Sequence, residues 1–365
     1  MSRETGKPAG GADATLTARG YRMAFGVTVS LAIEALRGAD LPTLAPMIAL
    51  QLLALSPRPP GAKMVGMLFG AAAASSLAAW VIAAVTVSIP GAYPLGMGVL
   101  YLWCFALSLN PKTAPLGAMA LTMTIVVGSL SAASTVAAAG IALSLLLSIL
   151  SGGAMVYLAF ALFPPPPAPA AAAKAPPPPP PPASGVERLP LAWRAGLATL
   201  VMLPVHMWLT SDGVAAMPVL FTCSAMLRQP GIEASMRDSF DRLAGTAAGG
   251  AAAVAVNGIA SLHGQGVLIL ALIATASLAF AWQVCRGPRF AAVWMPGFIT
   301  FVVLYGMTLS PTLGGGDVAA LSRLGQVAVG ALYTLCAVSL LAPLGRRLIR
   351  RHRDRTRPDP APREA

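Results

Sequence analysis

Two ionisable residues stand at corresponding places along this chain, and their types suit proton transfer. Glu34 follows Arg22 in the spacing Arg22-x11-Glu34-x5-Asp40, and His206 follows Arg194 in the same spacing, Arg194-x11-His206-x5-Asp212. Both lie in apolar runs. In a helix, a residue 12 positions beyond the basic residue that opens the run is displaced by about 18 Å, past the middle of a bilayer. An ionised side chain there costs at least about 2.5–3.5 kcal/mol on insertion scales, and it persists where a partner, a water-filled cavity or a proton path receives it. Histidine changes charge near neutral pH. Glu34, His206, Asp40 and Asp212 are therefore the candidate proton-coupling set. The alternative is that Glu34 and His206 face the outer headgroups while the two aspartates cap nearby turns.

A second group of residues suits anion chemistry. Ser56-Pro57-Arg58-Pro59 and Leu227-Arg228-Gln229-Pro230 each set a basic residue beside proline at the end of a short apolar run. With Lys63 and Arg242, they predict a basic vestibule that receives an anion from the cytoplasm; as plain positive-inside anchors they would need no ligand. The runs before them are interrupted by Pro42 and Pro46 in one case and by Gly213 and Pro218 in the other. Broken helices at matching positions free backbone groups and present helix ends to a ligand, so Pro46 and Pro218 mark the candidate substrate site. Gly66/Gly70 and Gly245/Gly249 have the Gly-x3-Gly spacing of close helix contacts.

No catalytic motif is present: the chain lacks His-Glu-x-x-His and Gly-x-Ser-x-Gly, and its three histidines are scattered. The four cysteines stand singly in apolar runs, without the spacing of a metal site or a disulfide. No cofactor or metal is expected.

The elements that must position these residues follow from composition. Apolar residues make up 56% of the 365 and charged residues only 10%, with a mean hydropathy of +0.72. A soluble domain would carry about a quarter charged residues. A bilayer span needs about 20 apolar residues, and an isolated span satisfies its backbone only as a helix. The expectation is an all-α polytopic membrane protein with about twelve spans, near 20–37, 42–56, 63–88, 93–109, 113–131, 135–163, 191–210, 214–227, 238–261, 265–285, 290–310 and 318–343. With both termini cytoplasmic, 23 of the 25 Lys and Arg residues fall inside, and only Arg37 and Arg323 fall outside. That bias sets the orientation and assigns the net charge of +12 to loops and a tail that meet anionic lipid, not nucleic acid. Residues 1–19 are polar, and no cleavable signal peptide is expected.

The organisation is a duplication. A cytoplasmic tail (1–19) precedes a first six-helix repeat (20–163); a proline-rich linker (164–190) leads to a second repeat (191–343) and a basic tail (344–365). The linker contains seven consecutive prolines, Pro176–Pro182, which favour an extended polyproline strap. Besides the Arg/Glu/Asp spacing above, Lys63-x2-Gly66-x3-Gly70 pairs with Arg242-x2-Gly245-x3-Gly249, Pro111-Lys112 with Pro288-Arg289, and Gly153 with Gly330. An even number of spans per half makes the repeats parallel, related by an axis along the membrane normal.

The segment from Gln229-Pro230 to Arg242-x2-Gly245-Thr246-x2-Gly249 resembles the fusaric acid resistance and aromatic acid exporter family. The first half carries a shorter version without Gln-Pro, and the chain lacks the large cytoplasmic helical domains of bigger members. The resemblance implies an efflux component of the bacterial inner membrane that exports aromatic carboxylic acids or related organic anions. It further implies drive by proton-motive force and work with a periplasmic adaptor of the membrane-fusion type. Two other readings fit the residues: a passive anion channel, and a non-transporting scaffold that docks such an adaptor.

Overall fold

The computed structural model describes residues 10–39, 42–55, 58–89, 91–165, 191–209, 217–228, 232–263, 266–309, 325–326, 328–337 and 340–341. Every regular element among them is a helix. The first six are α1 (Gly10–Leu36), α2 (Leu44–Leu55), α3 (Ala62–Thr86), α4 (Ala92–Leu109), α5 (Ala114–Ala133) and α6 (Thr135–Leu162). After the linker come α7 (Leu191–Leu209), α8 (Met217–Met226), α9 (Ile232–His263), α10 (Gly266–Cys285) and α11 (Pro288–Thr308), then α12 (Ala328–Ala337). Asp40, Asp212, Gly213, Asp317, Arg323, the strap from 166 to 190 and the basic tail lie outside the described residues.

Seven of these helices, α3 to α6 and α9 to α11, are long and apolar enough to cross a membrane. The chain is a polytopic helical membrane protein. The expected shortness of α2 and α8 is found: they have 12 and 10 residues, only about 18 and 15 Å at 1.5 Å per residue. Their prolines do not interrupt them midway. Pro42 sits in the turn before α2, and Pro46 and Pro218 fall in the first helical turn, where a missing N–H is not needed.

Helix α5 forms the centre. Of its span 72% is buried, against 28–44% in the other six. Helices α3 and α4 pack on α5, and α9 and α10 pack on α11. Helix α1 packs on α10, and α7 on α4. Small residues make these contacts possible. A Cβ at Gly245 or Gly249 would come within 2.1 Å of the Val293 or Gly297 carbonyl oxygen, so α9 and α11 touch backbone to backbone. The expected role of this pair in close packing is met.

Gly66 and Gly70 do not share it. Both are exposed, with nothing within 4 Å of an added Cβ. The buried stripe of α3 is Leu68, Ala72, Ser76, Ala79 and Ala83, and in α9 it is Gly245, Gly249, Ala253, Val256 and Ala260. Leu68 and Ala72 thus stand where Gly245 and Gly249 stand, two residues from the pairing drawn on the glycines. Two residues turn a helix by about 200°, which carries Gly66 and Gly70 to the outer face. The pairing of Gly153 with Gly330 shifts too. Gly152 meets the Ala45 carbonyl of α2, as Gly330 meets that of Val219 in α8.

Near the start of α1 the Arg19 guanidinium donates to the Ala54 carbonyl of α2, and Tyr21 and Phe25 of α1 contact Phe163 just beyond α6 at 5.9 and 5.8 Å between centroids. The Tyr157 hydroxyl donates to the Pro60 carbonyl at 2.8 Å. These contacts gather the start of α1, the α2–α3 connection and the end of α6.

Candidate functional site

Helix α1 ends one turn after Glu34. Gly38 adopts a left-handed conformation (φ +62°); its N–H bonds the Ala35 carbonyl and the Ala39 N–H reaches back to that of Glu34. This is a Schellman termination, and it favours glycine because the left-handed conformation strains other residues. It sets Arg37 just past the last residue of the helix, Leu36, and about one turn from Glu34. The Glu34 side chain is wholly buried. Its Oε1 accepts from Arg37 Nη1 at 2.9 Å and from Ser151 Oγ at 3.0 Å, and its Oε2 accepts from Ser148 Oγ at 3.0 Å. Ser148 and Ser151 lie at the middle of the 28-residue α6, about 20 Å from its start. An ion pair therefore packs against the middle of α6, and each of its carboxylate oxygens is met by a donor. Arg37 remains 36% exposed.

His206 is also fully buried, but against different partners. Tyr93 and Tyr101, two turns apart on α4, approach Nε2 at 3.2 Å and Nδ1 at 3.0 Å. The Tyr93 hydroxyl donates to the Gly128 carbonyl of α5 at 2.9 Å. Having spent its proton there, the Tyr93 oxygen accepts from His206 Nε2–H. Nδ1 then accepts from the Tyr101 hydroxyl, which fixes the tautomer. The chain Tyr101, His206, Tyr93, Gly128 joins α7 to α4 and α5. Tyr101→Phe would leave Nδ1 without its donor in a buried place, costing about 1–3 kcal/mol. A lowered thermal unfolding temperature of the purified protein checks this; an unchanged one would deny the network a stabilising role.

Glu34 and His206 thus stand at matching positions in α1 and α7 but share no partner. The serines and tyrosines that hold them were not legible as site residues: Ser148 and Ser151 are ordinary in a small-residue span, and Tyr93 and Tyr101 face His206 only through the α4–α7 contact.

The basic residues sit apart. Arg58, on the α2–α3 connection, and Lys63, in the first turn of α3, are exposed. Arg228 is half-buried after α8, with Nε donating to the Ser224 carbonyl at 3.3 Å. Arg242 lies in α9, and its side chain is outside the described residues, as is that of Pro218. Pro46 is buried. Of the cysteines, Cys104, Cys223 and Cys285 are buried, while Cys336 is exposed on α12.

An aromatic column runs along α11. Trp294, Phe298 and Phe301 surround Phe280 of α10 with centroid distances of 5.6–5.8 Å, and Phe301 stacks on Tyr305 at 6.0 Å. Their spacing along α11 follows one helix face, a pattern that the sequence reading passed over.

No curated protein and no solved structure matches the chain. Residues 197–337, from the second turn of α7 to the end of α12, match the family model described as fusaric acid resistance protein-like, and the second set of helices is a domain of that kind.

Proposed function

We propose that this protein is an efflux transporter of the bacterial inner membrane that exports organic anions, chiefly aromatic carboxylic acids, in exchange for protons. The observation that carries the reading is the fusaric acid resistance protein-like domain over residues 197–337, since fusaric acid is itself a pyridine carboxylic acid. The pathway lies between two parallel six-helix repeats. In support, the buried positions Met97, Tyr101, Cys104, Phe105 and Ser108 of α4 have the same spacing as Ile273, Ser277, Phe280, Ala281 and Val284 of α10, and α1 packs on α10 as α7 packs on α4.

Arg58, Lys63, Arg228 and Arg242 attract the anion at the cytoplasmic face, and the ends of α2 and α8 around Pro46 and Pro218 form its binding region. Glu34 and His206, with Asp40 and Asp212, couple export to protons. Their enclosure within the helix bundle supports a role beyond solvation, because burial of such groups needs a return. A periplasmic membrane-fusion adaptor is the proposed partner.

The test is growth of a deletion strain on a panel of aromatic acids, complemented with wild type or with Arg228→Gln/Arg242→Gln. We expect hypersensitivity that wild type relieves and the double variant relieves about tenfold less well, as loss of charge-assisted contacts implies. No phenotype across the panel would sink the efflux reading. Equal loss for neutral compounds would make the arginines structural. Proton coupling fails if folded Glu34→Gln and His206→Ala proteins keep the wild-type pH dependence of export.

A further inference from the structure

An imidazole sealed inside a helix bundle has a different need in each of its protonation states. Neutral, it presents one donor and one acceptor; protonated, it presents two donors and no acceptor. A buried donor without an acceptor loses its hydration and gains nothing in return. A ring that changes state in place therefore needs neighbours that serve it in both.

The surroundings of His206 meet that need. His206 and Tyr101 have no exposed surface, and Tyr93 is 7% exposed. One phenol faces each ring nitrogen, Tyr93 at 3.2 Å from Nε2 and Tyr101 at 3.0 Å from Nδ1. A phenol oxygen both donates and accepts. The Gly128 carbonyl holds the Tyr93 hydrogen, so the Tyr93 oxygen accepts from Nε2–H in either state. The Tyr101 hydrogen points at Nδ1 while the ring is neutral. Once Nδ1 carries a proton, the Tyr101 oxygen accepts it and the Tyr101 hydrogen turns away. Rotation of one hydroxyl thus separates two hydrogen-bonded states, and no ring has to move. Gly128 contributes twice, because a Cβ there would stand 3.4 Å from His206 Cε1: the ring lies close beside the residue whose carbonyl orients Tyr93.

The helices packed on α7 bring no charge to the ring. Helices α4, α5 and α8 contain no Asp, Glu, Lys or Arg, and neither does α12. Their remaining titratable groups are engaged elsewhere or exposed. Cys104 pairs with Thr124, Cys223 donates to the Gly330 carbonyl, Tyr333 donates to the Val201 carbonyl of α7, and Cys336 is exposed. Arg194, on α7 itself, is 12 residues from His206, about 18 Å along the helix. A carboxylate beside the ring would favour its charged form and a cation its neutral form. Glu34 differs in this respect, since Arg37 stands 2.9 Å from it.

We infer that Tyr93 and Tyr101 are positioning residues that let His206 take up and return a proton in place, Tyr101 changing from donor to acceptor as Nδ1 is protonated. The proton comes from water and goes back to water. While bound it sits on Nδ1, each tyrosine keeps one hydrogen, and no other bond changes. The inference deepens the proton-coupling reading of His206 and rests on it for any link to export, but protonation itself does not require transport. With His206 and Tyr101 closed to solvent, a proton taken up is held until α4 and α7 part, as a carrier requires and a passive channel does not.

The experiment is nitrogen-15 NMR of the full-length protein, labelled at histidine, in lipid nanodiscs from about pH 8 down to about pH 4, a range that brackets the charge change of histidine. The chain has three histidines, so the His206 signals are those lost in His206→Gln, while His263 and His352 serve as references. In the wild type we expect a neutral ring with its proton on Nε2 and, on acidification, protons on both nitrogens. Tyr93→Phe removes the acceptor of Nε2–H and should move most of the neutral ring to the Nδ1–H form. Tyr101→Phe removes the acceptor of the added proton. Half-protonation should then need about tenfold more acid, since a hydrogen bond to a charged group is the stronger one. A purely structural role would lower stability in both variants yet leave tautomer and titration as in wild type, and that result overturns the inference. So does a wild-type ring that starts in the Nδ1–H form or never takes a second proton. Benzoate export measured against pH separates this inference from the transporter reading. Tyrosine-dependent protonation without proton-linked export by wild type leaves the cradle and sinks the coupling. Proton-linked export whose pH profile is unmoved by Tyr101→Phe does the reverse.

Discussion

Glu34→Ala is expected to lower the stability of the purified protein by about 2–4 kcal/mol, seen as a fall of several degrees in its thermal unfolding temperature. Breaking one side of a buried ion pair costs about 3–5 kcal/mol, because the remaining charge stays in a poor solvent. Here Arg37 is 36% exposed, so water recovers part of that cost and the expectation is reduced accordingly. The remainder comes from Ser148 and Ser151, whose hydroxyls both donate to the lost carboxylate. Each of Ser148→Ala and Ser151→Ala removes one donor while Glu34 keeps others, and should cost about 1 kcal/mol. Glu34→Gln keeps an acceptor oxygen but leaves Arg37 without its counter-charge, and belongs between them. A Glu34→Ala protein that melts with wild type would mean that the carboxylate is held for transport alone and contributes nothing to the fold.

The second large effect is at the α9–α11 contact. Gly249→Val places a branched side chain where a single Cβ already comes within 2.1 Å of the Gly297 carbonyl oxygen and 3.0 Å of Phe301 N. Backbone cannot move aside as a side-chain tip can. The helices must separate, or the substituted helix must rotate out of register. Overpacking of this kind typically costs about 1–3 kcal/mol and more where backbone is the obstacle, and we expect little folded protein on size-exclusion chromatography. Gly66→Ala and Gly70→Ala should do the opposite. Their faces are open, and replacing helical glycine with alanine gains about 0.5–1 kcal/mol. If Gly66→Ala were as harmful as Gly249→Val, the outward face of α3 would have to be a contact surface.

This contrast shows where sequence reading ended. The Gly-x3-Gly spacing is identical in α3 and α9, yet only one copy meets another helix. Spacing states that two glycines share a face; it does not state what that face meets. The burial stripe of α3 runs through Ala72, Ser76, Ala79 and Ala83, small residues that permit close approach without glycine. The extra glycines one face away had no packing role to reveal them.

Other features were legible because they depend on the chain alone. Low charge and long apolar runs force helices in a bilayer, since no water is present to take up free backbone groups. The prolines at 42, 46 and 218 read as breaks within the spans, yet they stand before α2 or in the first turns of α2 and α8, because only there is a missing N–H not needed. Gly38 after Arg37 could have foretold the end of α1 by the same local reasoning. The cost of ionisable residues in apolar runs singled out Glu34 and His206 before any partner was known. The partners themselves lie more than a hundred residues away, and no local rule links Glu34 to Ser148 and Ser151, or His206 to Tyr93 and Tyr101. Those pairings arise from the way α1 lies along α6 and α7 along α4. Sequence determined which groups must find company in the membrane, because burial cost belongs to the residue; tertiary structure alone decided whose company, because hydrogen bonds across helices depend on rotation and depth that only packing sets.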